Sequence, residues 1–174
     1  LNKVTRGKLS IAIGARGRGS ALAHYEPSTN CINLTKKNGF GSLAHEIGHF
    51  FDKEFTSQFE RSGEFITSTS SRFYIGSEHE EIMMKWDTLK RKVVNRIIKD
   101  RLLVFVSPGK RKYWLAGHEI FARCFERYVK LKMNEKSISN DYLVCEITHA
   151  LWCNDEELEE FRSIADYMVN EIKK

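Results

Sequence analysis

The chain of 174 residues is 41% hydrophobic and 11% aromatic, which is enough to bury one substantial core but too little for two comfortable domains. No apolar run approaches the roughly eighteen residues of a membrane-spanning helix, and the basic first twenty residues lack the apolar block of a signal peptide. We therefore expect residues 1–174 to form a single domain of a cytoplasmic protein without a membrane segment. Because the chain begins with Leu1 rather than Met, we also expect it to be part of a longer protein.

The cysteines and the charges point to no further class of protein. The four cysteines form no C-x-x-C pair and show no regular spacing, so they predict neither a zinc ribbon nor a disulfide scaffold. The net charge of +5 includes short basic clusters at residues 16–18, 90–92 and 110–112. Because no stacking aromatic residues alternate with these clusters, we interpret them as solvated faces and keep nucleic-acid contact as an alternative.

The first forty residues predict short strands joined by turns. The stretch KLSIAIGARG is an apolar run that ends in a glycine-rich turn. Two further stretches alternate apolar and polar side chains on either side of the turn PSTN. We expect these two, Ala21–Glu26 and Cys31–Thr35, to pair as a β-hairpin.

Four helices are predicted after the strands. They cover residues about 43–55, 78–101, 116–132 and 154–171. Ser77 with Glu80, and Asn154 with Glu157, form capping boxes at the starts of the second and the last of these helices. Residues 56–76 are rich in Ser and Thr and lack a period, so they predict a long irregular segment of the kind that forms a lid or a binding loop.

The pentapeptide HEIGH at residues 45–49 is the clearest chemical signal in the sequence. On a helix, His45 and His49 are about 40 degrees apart around the axis, so both imidazoles can reach one metal ion. Glu46 falls about 100 degrees from His45, beside the ion, where its carboxylate can take a proton from a zinc-activated water. The opposite face of the helix can pack on the core through Leu43, Ala44, Ile47, Phe50 and Phe51. The alternative is a chance pair of surface histidines.

Two histidines leave a catalytic zinc site one protein ligand short. The residues after the motif, FFDKEF, lack the third histidine of the longer H-E-x-x-H-x-x-G-x-x-H motif. The third predicted helix offers Glu119 and Glu126, seven residues apart on one face, with His118 beside them. Two imidazoles and a carboxylate with an open position favour zinc over magnesium or calcium. Asp52, on the histidine face of its helix, can accept a ring N–H, or it can be a solvated carboxylate.

Several segments together resemble known metallopeptidases. HEIGHFFD with HEIFARCFERYV resembles the gluzincin pattern, and in particular the E-x-F-A-x-x-F helix of the anthrax lethal factor catalytic domain. These segments, with SALAHYEPSTNCINLT and NDYLV, also look like the metallopeptidase-like domain of phage and mobile-element polyvalent proteins. The resemblance implies that Glu119 is the third zinc ligand. It also implies that Tyr113 donates a hydrogen bond to the oxyanion of the tetrahedral intermediate, and His24 and Tyr25 are alternative donors.

The same resemblance implies a fold and a mode of substrate binding. The expected fold is α+β and zincin-like, with a small twisted N-terminal sheet followed by the active-site helix and three further helices. In gluzincins the strand before the motif helix is a sheet edge that pairs with the extended substrate. The resemblance therefore implies that Asn33, Leu34 and Thr35 bind a protein or peptide as an added strand.

We predict from these features a zinc-dependent endopeptidase. In this prediction His45, His49 and Glu119 bind Zn²⁺, and Glu46 is the general base. One alternative is a binding module that keeps the zinc fold without turnover. A second alternative is a nucleic-acid-associated protein whose basic helix, 78–101, is the active surface.

Overall fold

A computed structural model of the chain describes residues 5, 7–14, 23–35, 39–57, 65, 67, 74–145 and 150–173. In these residues a three-stranded sheet at the N-terminal end is followed by five α-helices, so the predicted α+β class is confirmed. None of the helices in the described ranges combines the length and the apolar character needed to cross a membrane.

The sheet consists of β1 (Ser10–Ile13), β2 (Ala23–Glu26) and β3 (Cys31–Leu34). Strand β3 lies in the centre, parallel to β1 and antiparallel to β2. The predicted hairpin is confirmed from Ala23 onward, with Ala23 opposite Leu34; residues 21 and 22 lie outside the described ranges.

The central position of β3 corrects the expectation that this strand is a sheet edge. Both sides of β3 are occupied by neighbouring strands, so a substrate cannot pair with the main chain of Asn33 and Leu34. Thr35, just after the strand, accepts a hydrogen bond from the backbone N–H of Gly39. The prediction was wrong because the pairing of β1 with β3 is a long-range contact that no local pattern reveals.

The helices are α1 (Leu43–Ser57), α2 (Glu80–Lys99), α3 (Pro108–Trp114), α4 (Gly117–Glu135) and α5 (Asp155–Lys173), with a 3₁₀ turn at Leu102–Phe105. Four of them match the predicted helices to within a few residues. Helix α3 was not predicted, because it begins at the proline of the stretch VSPGKRK, between the predicted helices 78–101 and 116–132. Pro108 is at the start of this short helix, where its missing N–H has no helical partner to lose.

One of the two predicted capping boxes is confirmed. The side chain of Asn154 accepts the N–H of Glu157 at 2.9 Å, and the Glu157 carboxylate accepts the N–H of Asn154 at 2.8 Å. The box of Ser77 and Glu80 is wrong. Helix α2 begins at Glu80 itself, and the carboxylate of Glu80 accepts the N–H of Gly76 instead.

Helix α1 is the centre of the core, packed against the sheet on one side and α4 on the other. The ring of Phe50 meets Tyr25 of the sheet edge-on at 6.1 Å, and the ring of Phe51 lies 5.2 Å from Phe125 of α4. Burial is not confined to the apolar face that the sequence predicts, since Glu46 and His49 are also buried. The motif residues therefore face the interface with α4 rather than open solvent.

The basic face of α2 is partly neutralised by acidic residues of α5. Lys92 contacts Glu156 and Glu160 at 2.7 and 2.6 Å, and Arg96 contacts the buried carboxylate of Glu157 at 2.8 Å. These contacts join α2 to α5, and they leave less free positive charge on α2 than the sequence suggests. This observation weakens the nucleic-acid alternative.

Candidate metal centre

Helices α1 and α4 bring the two motif histidines and Glu119 together. Nε2 of His45 lies 3.5 Å from Oε2 of Glu119, and Nε2 of His49 lies 3.4 Å from Oε1 of the same carboxylate. Each residue offers a potential ligand atom, and the three atoms lie within 4.8 Å of one another. Glu119 is in the first turn of α4, shortly after the short helix α3 ends at Trp114, and this turn brings its carboxylate to the histidines.

One buried atom of this group fits a bound cation. Oε2 of Glu119 is buried and makes no hydrogen bond to the described residues. A buried carboxylate oxygen without a donor is costly, and coordination to a metal is one way to satisfy it. Two imidazoles and one carboxylate are a donor set that suits zinc.

The electrostatics of the metal-free group are those of a charged histidine between carboxylates. Although burial disfavours the charged ring, the carboxylates of Glu119 and Glu126 raise the pKa of His45 to about 9. Burial acts against the charge of Glu119 as well, but His45 and His49 lower the pKa of Glu119 well below its usual range. A metal ion entering the site would therefore replace a proton on His45.

The structure separates Glu119 from the two other candidate third ligands. Oε2 of Glu126 lies 3.7 Å from Nδ1 of His45, on the other side of the ring from Glu119. His118 lies on the rim of the group, with Nε2 3.8 Å from Oε1 of Glu119, and burial lowers the pKa of His118. Only Glu119 lies between both histidines of the motif.

The sequence analysis missed Arg123, which is 2% exposed and touches the same carboxylate. Its Nη1 lies 3.8 Å from Oε2 of Glu119, its Nη2 donates to the carbonyl oxygen of Trp114, and its guanidinium sits 4.9 Å from the centre of the Trp114 ring. The spacing of four residues between Glu119 and Arg123 is the signal that could have revealed the pair, because such residues are neighbours on a helix.

Asp52 is fully buried, so the alternative of a solvated carboxylate is excluded. Its carboxylate accepts the backbone N–H and the hydroxyl of Thr67. Nδ1 of His49 has no hydrogen-bond partner among the described residues. Asp52 holds Thr67 beside Gly117, at the start of α4. The expected bond from a histidine ring N–H to Asp52 stays a prediction.

Most of the segment 56–76 lies outside the described ranges, and Phe65 is one of its residues that the structure describes. Its ring stacks on His118, with centroids 5.0 Å apart and planes 21° apart, and it meets the ring of His49 at 5.6 Å. Phe65 thus places an aromatic ring against the metal-ligand group, whereas the predicted lid or binding loop lies mostly outside the described residues.

A cleft of about 590 Å³ opens beside His45. Glu46 and Tyr113 line it together with His45. Burial, and then the charge of Glu119, raise the pKa of Tyr113, so the hydroxyl stays protonated and can act as a donor. The aromatic rings of Phe40, Trp114 and Trp152 also line the cleft. The remaining lining residues are Ala23, Gly41, Ser42, Lys110 and Glu126.

The two alternative donors on β2 do not line this cleft. His24 is exposed, and its Nε2 lies 3.3 Å from the side-chain nitrogen of Asn33. Tyr25 is buried, and its hydroxyl donates to the side chain of Asn30 at 2.6 Å. Among the three predicted donors, Tyr113 is the one that the structure brings to the motif.

Comparison with known families adds one match. Residues 107–174 match the family described as Large polyvalent protein-associated domain 1. The match supports an association with large polyvalent proteins. It spans α3, α4 and α5, and so includes Tyr113 and Glu119 but neither motif histidine. No curated protein and no solved structure matches the chain.

Proposed function

We propose that this protein is a zinc-dependent endopeptidase. The observation that carries the proposal is the convergence of His45, His49 and Glu119 from two helices, with Glu46 at the adjoining cleft. These are the ligands and the base that a catalytic zinc site requires. The resemblance of the two motif helices to gluzincins points to the same reaction.

Each residue has a definite task in the proposed reaction. Zinc held by the three ligands would polarise the scissile carbonyl and lower the pKa of water to roughly 7. Glu46 takes the proton of the attacking water and passes it to the leaving amine. Tyr113, protonated at neutral pH, donates its hydroxyl hydrogen to the oxyanion. Arg123 places a positive charge beside the carboxylate of Glu119.

Strand β2 offers the substrate an edge in place of β3. Its outer side is free of other strands in the described part of the sheet, and Ala23 at its start lines the cleft together with His45 and Glu46. A peptide added antiparallel or parallel to β2 would bind through main-chain hydrogen bonds. Its side chains would then meet the aromatic wall of the cleft, formed by Phe40, Trp114 and Trp152.

The direct test is cleavage of a mixed peptide library, read by mass spectrometry, with wild-type protein and Glu46→Gln at equal zinc content. The proposal predicts cuts by the wild type alone, with apolar or aromatic residues enriched near the cut. Cleavage by both proteins would exclude Glu46 as the base. If neither cuts and both hold zinc, the protein is either a peptidase that needs one specific folded substrate or a binding module, which the match to a polyvalent-protein-associated domain also allows.

A further inference from the structure

The buried carboxylate of Glu126 lies on α4 seven residues after Glu119, on the face that meets α1. The two glutamates approach His45 from opposite sides. Nε2 of His45 lies 3.5 Å from Oε2 of Glu119, and Nδ1 lies 3.7 Å from Oε2 of Glu126. When Nε2 of His45 binds a metal, Nδ1 carries the ring proton and faces Glu126.

Glu126 is itself held in place from the other side. The indole N–H of Trp152 donates to Oε2 of Glu126 at 2.8 Å. The backbone carbonyl of Trp152 accepts a hydrogen bond from Arg96 of α2 at 2.7 Å, which fixes the segment before α5. Trp152 and Glu126 are also neighbours in the wall of the cleft. The carboxylate is therefore anchored to a part of the chain that does not belong to the motif.

We infer that Glu126 is a positioning residue for the metal site: it orients the imidazole of His45, and Trp152 holds Glu126 in the position to do so. This inference rests on the proposed function for its metal, and it assigns Glu126 a role different from that of a third ligand. Carboxylates that hold ligand histidines typically contribute 10- to 100-fold to metal affinity. The contact with Trp152 links Glu126, and through it the metal ligand His45, to the segment between α4 and α5. This segment is not part of the HEIGH motif.

Zinc affinity is the first test, measured by competition with a chromophoric chelator on wild type, Glu126→Gln, Trp152→Phe and Glu119→Gln. We expect Glu126→Gln to weaken zinc binding about 10-fold and Trp152→Phe to weaken it less, whereas Glu119→Gln weakens it much more than either. Glu135→Gln, on the same helix but paired with Arg162 at 3.0 Å, is the matched control and should bind zinc like the wild type. Equal affinity in Glu126→Gln and wild type, or a loss as large as that of Glu119→Gln, overturns the inference.

The second test determines which ring nitrogen of His45 carries the proton. In zinc-loaded protein, long-range ¹H–¹⁵N NMR spectra should show the proton of His45 on Nδ1, with a ¹⁵N shift that changes in Glu126→Gln and not in Glu135→Gln. If the wild type takes up no zinc, the proposed function fails. The spectra of the metal-free proteins then still decide the contact, since an unchanged His45 signal in Glu126→Gln would overturn it. Circular dichroism of each variant separates these effects from misfolding.

Discussion

The α-carbon of Ala122 lies so close to Gly48 that a β-carbon on Gly48 would be 3.0 Å from it. The same β-carbon would be 3.1 Å from Cβ of Phe125, so α4 would have to give way by a few tenths of an ångström at this contact. The motif histidines are on α1 and Glu119 is on α4. The absence of a side chain at the fourth position of HEIGH therefore sets the spacing of the metal-ligand group.

Gly48→Ala should destabilise the protein, although alanine favours a helix over glycine. We expect a loss of about 1–3 kcal/mol in the free energy of unfolding, as is typical of overpacking against backbone. Urea denaturation of the metal-free protein measures it. Gly109→Ala is the control, because a β-carbon there would have no neighbour within 4 Å. Equal effects of the two substitutions would show that α1 and α4 are not in the close contact described.

The metal-free protein should lose stability as the pH rises from about 6.5 to about 9. The pKa of His45 is raised to about 9 by Glu119 and Glu126, above its value in the unfolded chain. A raised pKa stabilises the folded state fully below the unfolded value and ceases to do so above the folded one, a difference of about 3 kcal/mol. The free energy of unfolding is measured for wild type and His45→Gln, with a chelator present, at both ends of this pH range. The difference between the two proteins isolates the contribution of His45 from that of the cysteines, which also titrate here. If the free energy of unfolding changes with pH equally in both proteins, the predicted contribution of His45 is contradicted.

Zinc binding should strengthen over the same pH range, because the ion must displace the proton of His45. Calorimetric titration in two buffers of different ionisation enthalpy counts the protons released. At pH 7 we expect about one proton per zinc from His45, in addition to the fraction lost by a zinc-bound water whose pKa is roughly 7. Well above pH 9 the His45 proton should disappear from the count and that of the water should remain. No proton release at pH 7 would mean that His45 is already neutral, or that it does not bind the metal.

Arg123→Met should destabilise the protein by about 2–4 kcal/mol, since it removes the cation beside a buried carboxylate and a donor to the carbonyl of Trp114. Arg91→Met is the control. Arg91 is exposed and donates only to a backbone carbonyl of its own helix in the described contacts, so its loss should cost about 0.5 kcal/mol or less. Thermal denaturation of both variants gives the comparison, and a small effect of Arg123→Met would count against its role at Glu119.

Local patterns in the sequence were sufficient to predict most of the strands and helices, including the two helices that carry the candidate metal ligands. The 3.6-residue period and the capping box of Asn154 predict their helices, and the H-E-x-x-H spacing places two imidazoles together. Long-range contacts were not predictable in the same way. Nothing in the sequence near β3 indicates that β1 pairs with it. No spacing in the sequence indicates that Trp152 contacts Glu126. The resemblance, rather than the pattern of residues, distinguished Glu119 from Glu126 before the structure was known.

Burial was also underestimated at the motif. A helix with one apolar face predicts an exposed opposite face, but α1 lies between the sheet and α4. Asp52 is therefore buried, and its bonds to Thr67 tie part of the segment 56–76 to the start of α4. Such contacts depend on which elements meet in the fold, which a single sequence does not specify.

The most direct test of the proposed peptidase measures zinc content and cleavage rate on the same samples of wild type, Glu46→Gln and Glu119→Gln, with one peptide cut in the library. The proposal predicts that wild type and Glu46→Gln each hold one zinc and that Glu46→Gln cuts about 10²- to 10⁴-fold more slowly. Glu119→Gln should hold less zinc and cut in proportion to what remains, or not at all. A wild-type protein with one bound zinc that cuts no peptide faster than Glu46→Gln would contradict the account.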